Sequence, residues 1–152
     1  MSEPKLLRIV KAVAGRLSSI DGTGQYYTKV GNSVVRCNST RQFSESELPA
    51  CVCYLTPRTV GAESFEEQKI NSQIVIEAHH TIGAHAEDTA VEMLADIQRA
   101  VETDDITLGC LVLKRLSFAG DAIFYPEDAG NYVTVQVLYD VNHIRCYGDP
   151  DT

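Results

Sequence analysis

The residues of this chain best suited to making bonds or holding metals are its four histidines and five cysteines. A tetrahedral zinc site needs three or four ligands converging at about 2.0–2.3 Å. His79, His80 and His85 lie close together in sequence, with His143 far along the chain. Neighbours on an extended strand point to opposite faces, so His79 and His80 cannot readily share one ion. Nucleophilic cysteine chemistry needs an exposed, acidified thiol beside a base. Cys53 with His79 is the pair that would supply it. Cys51 and Cys53 sit in an apolar run, ACVCYL, which predicts buried and unreactive thiols instead. With Cys37, Cys110 and Cys146 they form neither a disulfide framework nor a CxxC zinc motif. All five are expected to be reduced, buried, small apolar residues. Glu77 and His79, two apart on one strand face, are a candidate acid–base pair. The competing reading is a polar face turned to solvent or to another subunit. Gly22-Thr23-Gly24 is not followed by a helix, and no phosphate-loop pattern occurs. No catalytic residue, cofactor or metal is assigned.

The elements that would position these residues follow from periodicity. Leu6, Val10, Val13, Leu17 and Ile20 form one apolar stripe, predicting a helix over 3–19 with Ser2 as its cap. Tyr26 to Cys37 reads as two extended pieces around Gly31-Asn32, with a hairpin as one option. Ala50–Leu55 reads as a strand buried on both faces, central in a sheet. Thr56 to Asn71 is polar and reads as a mobile loop or the tip of a long hairpin. Ser72 to Ile82 alternates as a strand, with Ile74, Ile76 and Ala78 on one face and Val75, Glu77 and His79 on the other. Ala86 to Thr103 is predicted as a helix buried through Ala90, Met93, Leu94, Ile97 and Val101. Leu108 to Phe118 and Tyr132 to Val141 are predicted strands, joined by a turn-rich connection, SFAGDAIFYPEDAGN, with extension of both strands as a hairpin as one option. Residues 148–152 are expected to fray. The sum is a single α/β (α+β) domain over 1–152. Its small mixed or antiparallel sheet has about four to five strands, with two helices packed on one face.

Composition narrows the function classes. The apolar share is 44%, ordinary for a globular domain with its own core. No apolar run approaches the roughly 20 residues that span a bilayer. Lys5, Arg8 and Lys11 interrupt the first segment, so no secretory signal is read and a cytoplasmic origin is the default. The formal charge is -8, from 13 basic and 21 acidic residues. A nucleic-acid binder normally carries a basic face, and none is visible. The acidic positions, Glu63, Glu66, Glu67, Glu87, Asp88, Glu92, Asp96, Asp104 and Asp105, read as solvated surface. They would also repel DNA passing nearby. Tyr26, Tyr27, Phe43, Phe65, Phe124, Tyr125 and Tyr147 lie in or beside predicted loops. There they would either anchor an interface or cover the ends of the core.

Three blocks carry a resemblance: ELPACVCYL (47–55), AEDTAVEMLADIQRAVETDDITLGCLVL (86–113) and DAGNYVTVQVLYDVNHIRCYGDP (128–150). With the first helix they cover most of the chain. In this order they resemble bacteriophage tail terminator proteins of the minor tail protein U type. The resemblance implies a hexameric ring that caps the finished tail tube, stops its polymerisation and presents a joining surface to the neck or head connector. It implies a virion location, with DNA passing through the lumen unbound. No catalytic residue is carried over. Arg58 and Phe65 in the second polar segment, and Glu77 and His79 on the strand face, are the expected contacts with the tube or an adjacent subunit. Other readings are a neck or head-completion protein of similar fold, a small cysteine-dependent hydrolase, and a ligand-binding module with a pocket between helices and sheet.

Overall fold

A computed structural model describes residues 3–36, 42–56, 58–103, 105–126 and 132–149. Helix α1 spans Lys5–Leu17, with Pro4 at its N-cap, where a missing N–H costs nothing. Its buried stripe is Ile9, Val10, Val13 and Leu17, continued by Ile20. A 3-10 turn at Val30–Asn32 and a two-residue strand β1, Val34–Val35, occupy the segment read as paired extended pieces. That segment forms no hairpin, because β1 runs parallel to β2, Ala50–Leu55. Gly31 explains the tight turn. A Cβ there would lie 2.3 Å from the Leu17 carbonyl oxygen and 2.6 Å from that of Ile20. Only glycine permits this approach.

The sheet order is β1-β2-β4-β6-β5, mixed in direction, with six strands once β3 is included. β4, Glu67–Thr81, and β6, Tyr132–Cys146, are both 15 residues long and pair antiparallel along their whole length. Between them in sequence come helix α2, Ala86–Glu102, and strand β5, Ser117–Phe124. The helix-side core joins Val10, Val13, Met93 and Ile97 to Ile74, Ile76, Val135 and Val137. Both helices therefore cover one sheet face. Arg16 ties them together by donating to the carbonyls of Val101 (2.7 Å) and Thr103 (3.3 Å), which α2 leaves open at its C-terminus.

Several expectations fail for identifiable reasons. The expected strand 108–118 is a run of turns. Leu108, Gly109 and Cys110 all have positive φ (53°, 69° and 64°), which a strand cannot accommodate. Asp105 sets this coil, its carboxylate accepting from the backbone N–H of Thr107 and of Gly109. Leu108, Val112 and Leu116 are the buried residues here, four apart, where a strand would bury alternate ones. The hairpin option for the 117–131 connection holds: β5 spans Ser117–Phe124 and pairs antiparallel with β6. For Thr56–Asn71 the hairpin alternative holds and the loop does not: β3, Thr59–Glu63, pairs antiparallel with the start of β4. Among the acidic residues, Asp96 is fully buried, while Asp104 lies outside the described residues. The Asp96 carboxylate accepts from the backbone N–H of Tyr27 and Thr28 and from the Thr28 hydroxyl (2.7–3.1 Å), pinning the α1–β1 connection to α2. Ser2, Cys37 and residues 150–152 also lie outside the described residues.

Candidate functional site

Strand alternation separates the candidate chemistry into two layers. Cys51 and Cys53 face the helices and belong to the core. Burial holds the Cys51 thiol well above its usual range, with Cys53 and Glu77 adding to the effect. It pushes Cys53 up to about 12, against the opposing pull of Arg36. His79 pairs with Ala50, on the other face. The sheet therefore stands between Cys53 and His79, and the two cannot act as nucleophile and base. Cys110 departs from the expected burial and is exposed; Cys146 is half-buried. Among the described residues, no three of His, Cys, Asp and Glu converge as a metal-ligand group.

The face opposite the helices carries a cross-strand polar ladder. The Glu77 Oε1 accepts from the Tyr54 hydroxyl and from Gln136 Nε2, each at 2.9 Å. His79 Nδ1 lies 2.8 Å from the Thr134 hydroxyl. Its ring packs on Phe43 and edge-on against Tyr132, with centroids 5.1 and 5.5 Å apart. Burial lowers the His79 pKa, and Glu77 partly offsets this. Glu77 and His79 are each only 7% exposed. Glu77 Oε1 and His79 Nδ1 are engaged within the chain, so this cluster stiffens the sheet. Register brings Tyr54, Thr134 and Gln136 to them from β2 and β6. Nothing local in sequence marks those three partners.

Arg58 and Phe65 lie at the other end of β4. All five residues of β3 are exposed. Glu67 pairs with Cys146, and the Tyr147 N–H donates to the Glu66 carbonyl (3.1 Å), so the end of β6 adds a third strand. The turn is held by the Ser64 N–H donating to the Glu67 carbonyl (2.8 Å). The result is a three-stranded arm. At its tip Phe65 is 99% exposed, flanked by exposed Glu63, Glu66 and Glu67, with half-exposed Tyr147 close by. Of the four residues expected at an interface, the fold presents Arg58 and Phe65 to the outside and encloses Glu77 and His79.

The sequence matches no protein-family model, and no characterised protein is significantly similar to it. Among the described residues, no helix is long and apolar enough to cross a membrane.

Proposed function

We propose that this chain is a structural assembly protein: a tail terminator whose copies form a ring on the end of a phage tail tube. The ring stops tube growth and offers a joining surface to the neck or head connector. The observation that carries this reading is the arm with its fully exposed Phe65. A hairpin alone is marginally stable in water, and here a third strand braces it. An aromatic held on a stiff support and kept out of the core is what a docking anchor requires. The resemblance of the blocks at 47–55, 86–113 and 128–150 to tail terminators supplies the biological setting. A ring needs two different patches per subunit, meeting head to tail. The charge of -8 suits a lumen through which DNA passes without adhering. Electron microscopy of tails assembled with and without the protein tests the proposal. Overlong, uncapped tubes in its absence, capped again when it is restored, are the expected result. Tubes of normal length without it would refute the proposal.

A further inference from the structure

A groove of about 560 Å³ opens on the helix side of the sheet, beside the N-terminus of α1. Leu6, Leu7, Val10 and Leu55 give it an apolar floor. Arg36, Arg58 and Arg145 stand around it, and among the described residues no carboxylate lines it. Three guanidiniums without acidic company are unusual on a chain of net charge -8. Among the described residues, none of these three takes part in a salt bridge. His143 also lines the groove, only 3% exposed, and its Nδ1 has no hydrogen-bond partner among the described residues. The volume falls within the range of ligand-binding clefts.

We infer that the occupant is the arm tip of a second copy, with Phe65 on the apolar floor and Glu66 and Glu67 against Arg58 and Arg145. Tip and groove are complementary in both respects, aromatic to apolar and acidic to basic. Arg145 belongs to the arm, opposite Gln68 and donating to it (2.9 Å), but the apolar floor lies further back on the subunit. Leu55 pairs with Ile74, roughly 23 Å along β4 from Glu67. Phe65 therefore does not reach the apolar floor of its own subunit. A patch that fits a different patch on an identical copy makes a head-to-tail contact, which can close into a ring. The apolar insertion supplies most of the affinity. The partly exposed ion pairs set orientation and weaken as salt rises.

This pairing rests on the self-assembly proposed above, and a complementation test separates the two. Phe65→Ala has a blunted tip and an intact groove. Arg58→Glu has an intact tip and a spoiled groove. Both residues are exposed, so both variants fold. Alone, each should self-associate at least about 30-fold more weakly than wild type by sedimentation velocity, as expected for loss of an interface anchor. Mixed, they keep one working junction per pair and should form a 1:1 dimer and nothing larger. If both variants assemble like wild type, this junction is wrong while the ring proposal stands. If the mixture fails to pair, the contact is not head to tail through these patches, and the inference falls. If wild type stays monomeric both in solution and on tail tubes, junction and ring fall together.

Discussion

Replacing Glu77 with alanine should destabilise the fold and leave assembly per folded molecule unchanged. The carboxylate is 7% exposed and accepts two bonds at 2.9 Å, from Tyr54 and Gln136. Hydrogen bonds to a charged group contribute about 1.5–3 kcal/mol each, which puts the upper end for two near 6 kcal/mol. Two effects offset part of that. Removing a buried carboxylate relieves its desolvation, and water reaches the half-buried Tyr54 and Gln136 once the carboxylate is gone. The net loss should be about 2–4 kcal/mol. For a domain of this size each kcal/mol moves Tm by about 2–4 °C, so melting should fall by roughly 5–15 °C. Thermal unfolding followed by circular dichroism measures it. Glu77→Gln keeps an acceptor at the same position and should lose about 1 kcal/mol. Tyr54→Phe added to Glu77→Ala should cost less than it does alone, because its partner is already gone. A Glu77→Ala protein that melts within ~2 °C of wild type, yet fails to assemble, would refute this reasoning and return Glu77 to the interface.

Acid should weaken the fold through two histidines. Burial lowers the pKa of His79, and burial reinforced by Lys5, Arg58 and Arg145 lowers that of His143. Below the free value near 6.5 the unfolded chain binds protons that the folded chain refuses. This contribution to stability is therefore intact above about pH 6.5 and declines as pH falls toward the folded values. The slope is at most about 1.4 kcal/mol per pH unit for each histidine. Urea unfolding at pH 7.5 and 5.5 should show a smaller loss for His143→Gln than for wild type; equal losses would count against the assignment. A thiol reagent with peptide mapping should label native protein at Cys110 and reach Cys51 and Cys53 only after denaturation. Fast native labelling of Cys53 would reopen the nucleophile reading. Asp96→Ala strands three donors on Tyr27 and Thr28 and should cost about 3–5 kcal/mol by chemical denaturation; a loss under about 1 kcal/mol would contradict the pinning role.

Legibility in the sequence tracked the reach of the interactions. α1, α2 and β6 were readable because one-sided burial imposes a period on neighbouring residues, as in Ala90, Met93, Ile97 and Val101 or Val133, Val135 and Val137, and β2 because burial on both faces makes it a short continuous apolar run. The coil after α2 was misread because LGCLVL is apolar enough for a strand. Its shape is set by the Asp105 carboxylate and by left-handed residues, of which only Gly109 advertises that conformation. Asp96 gave no warning either. An acid on an amphipathic helix reads as solvated, and it is buried only because Tyr27 and Thr28 bring their N–H groups to it from the far side of α1.

The same limit governs the interface. β4 carries Glu77 and His79 toward one end and leads from the Phe65 turn at the other. Along the strand all three look like features of one exposed face. Phe43, Tyr54, Thr134 and Gln136 enclose the first pair, and they arrive from other parts of the chain. Nothing arrives to enclose Phe65. ESFEE by itself is a solvated acidic segment with a stray aromatic. It acquires an opposite only when folding gathers Arg36, Arg58 and Arg145 around an apolar floor. Under the proposed pairing, the apolar floor lies beyond the reach of its own tip, so satisfying both surfaces would take a second copy, and satisfying the second would take a third. Assembly would then be a consequence of the fold, and the number of copies would follow from the angle between arm and groove.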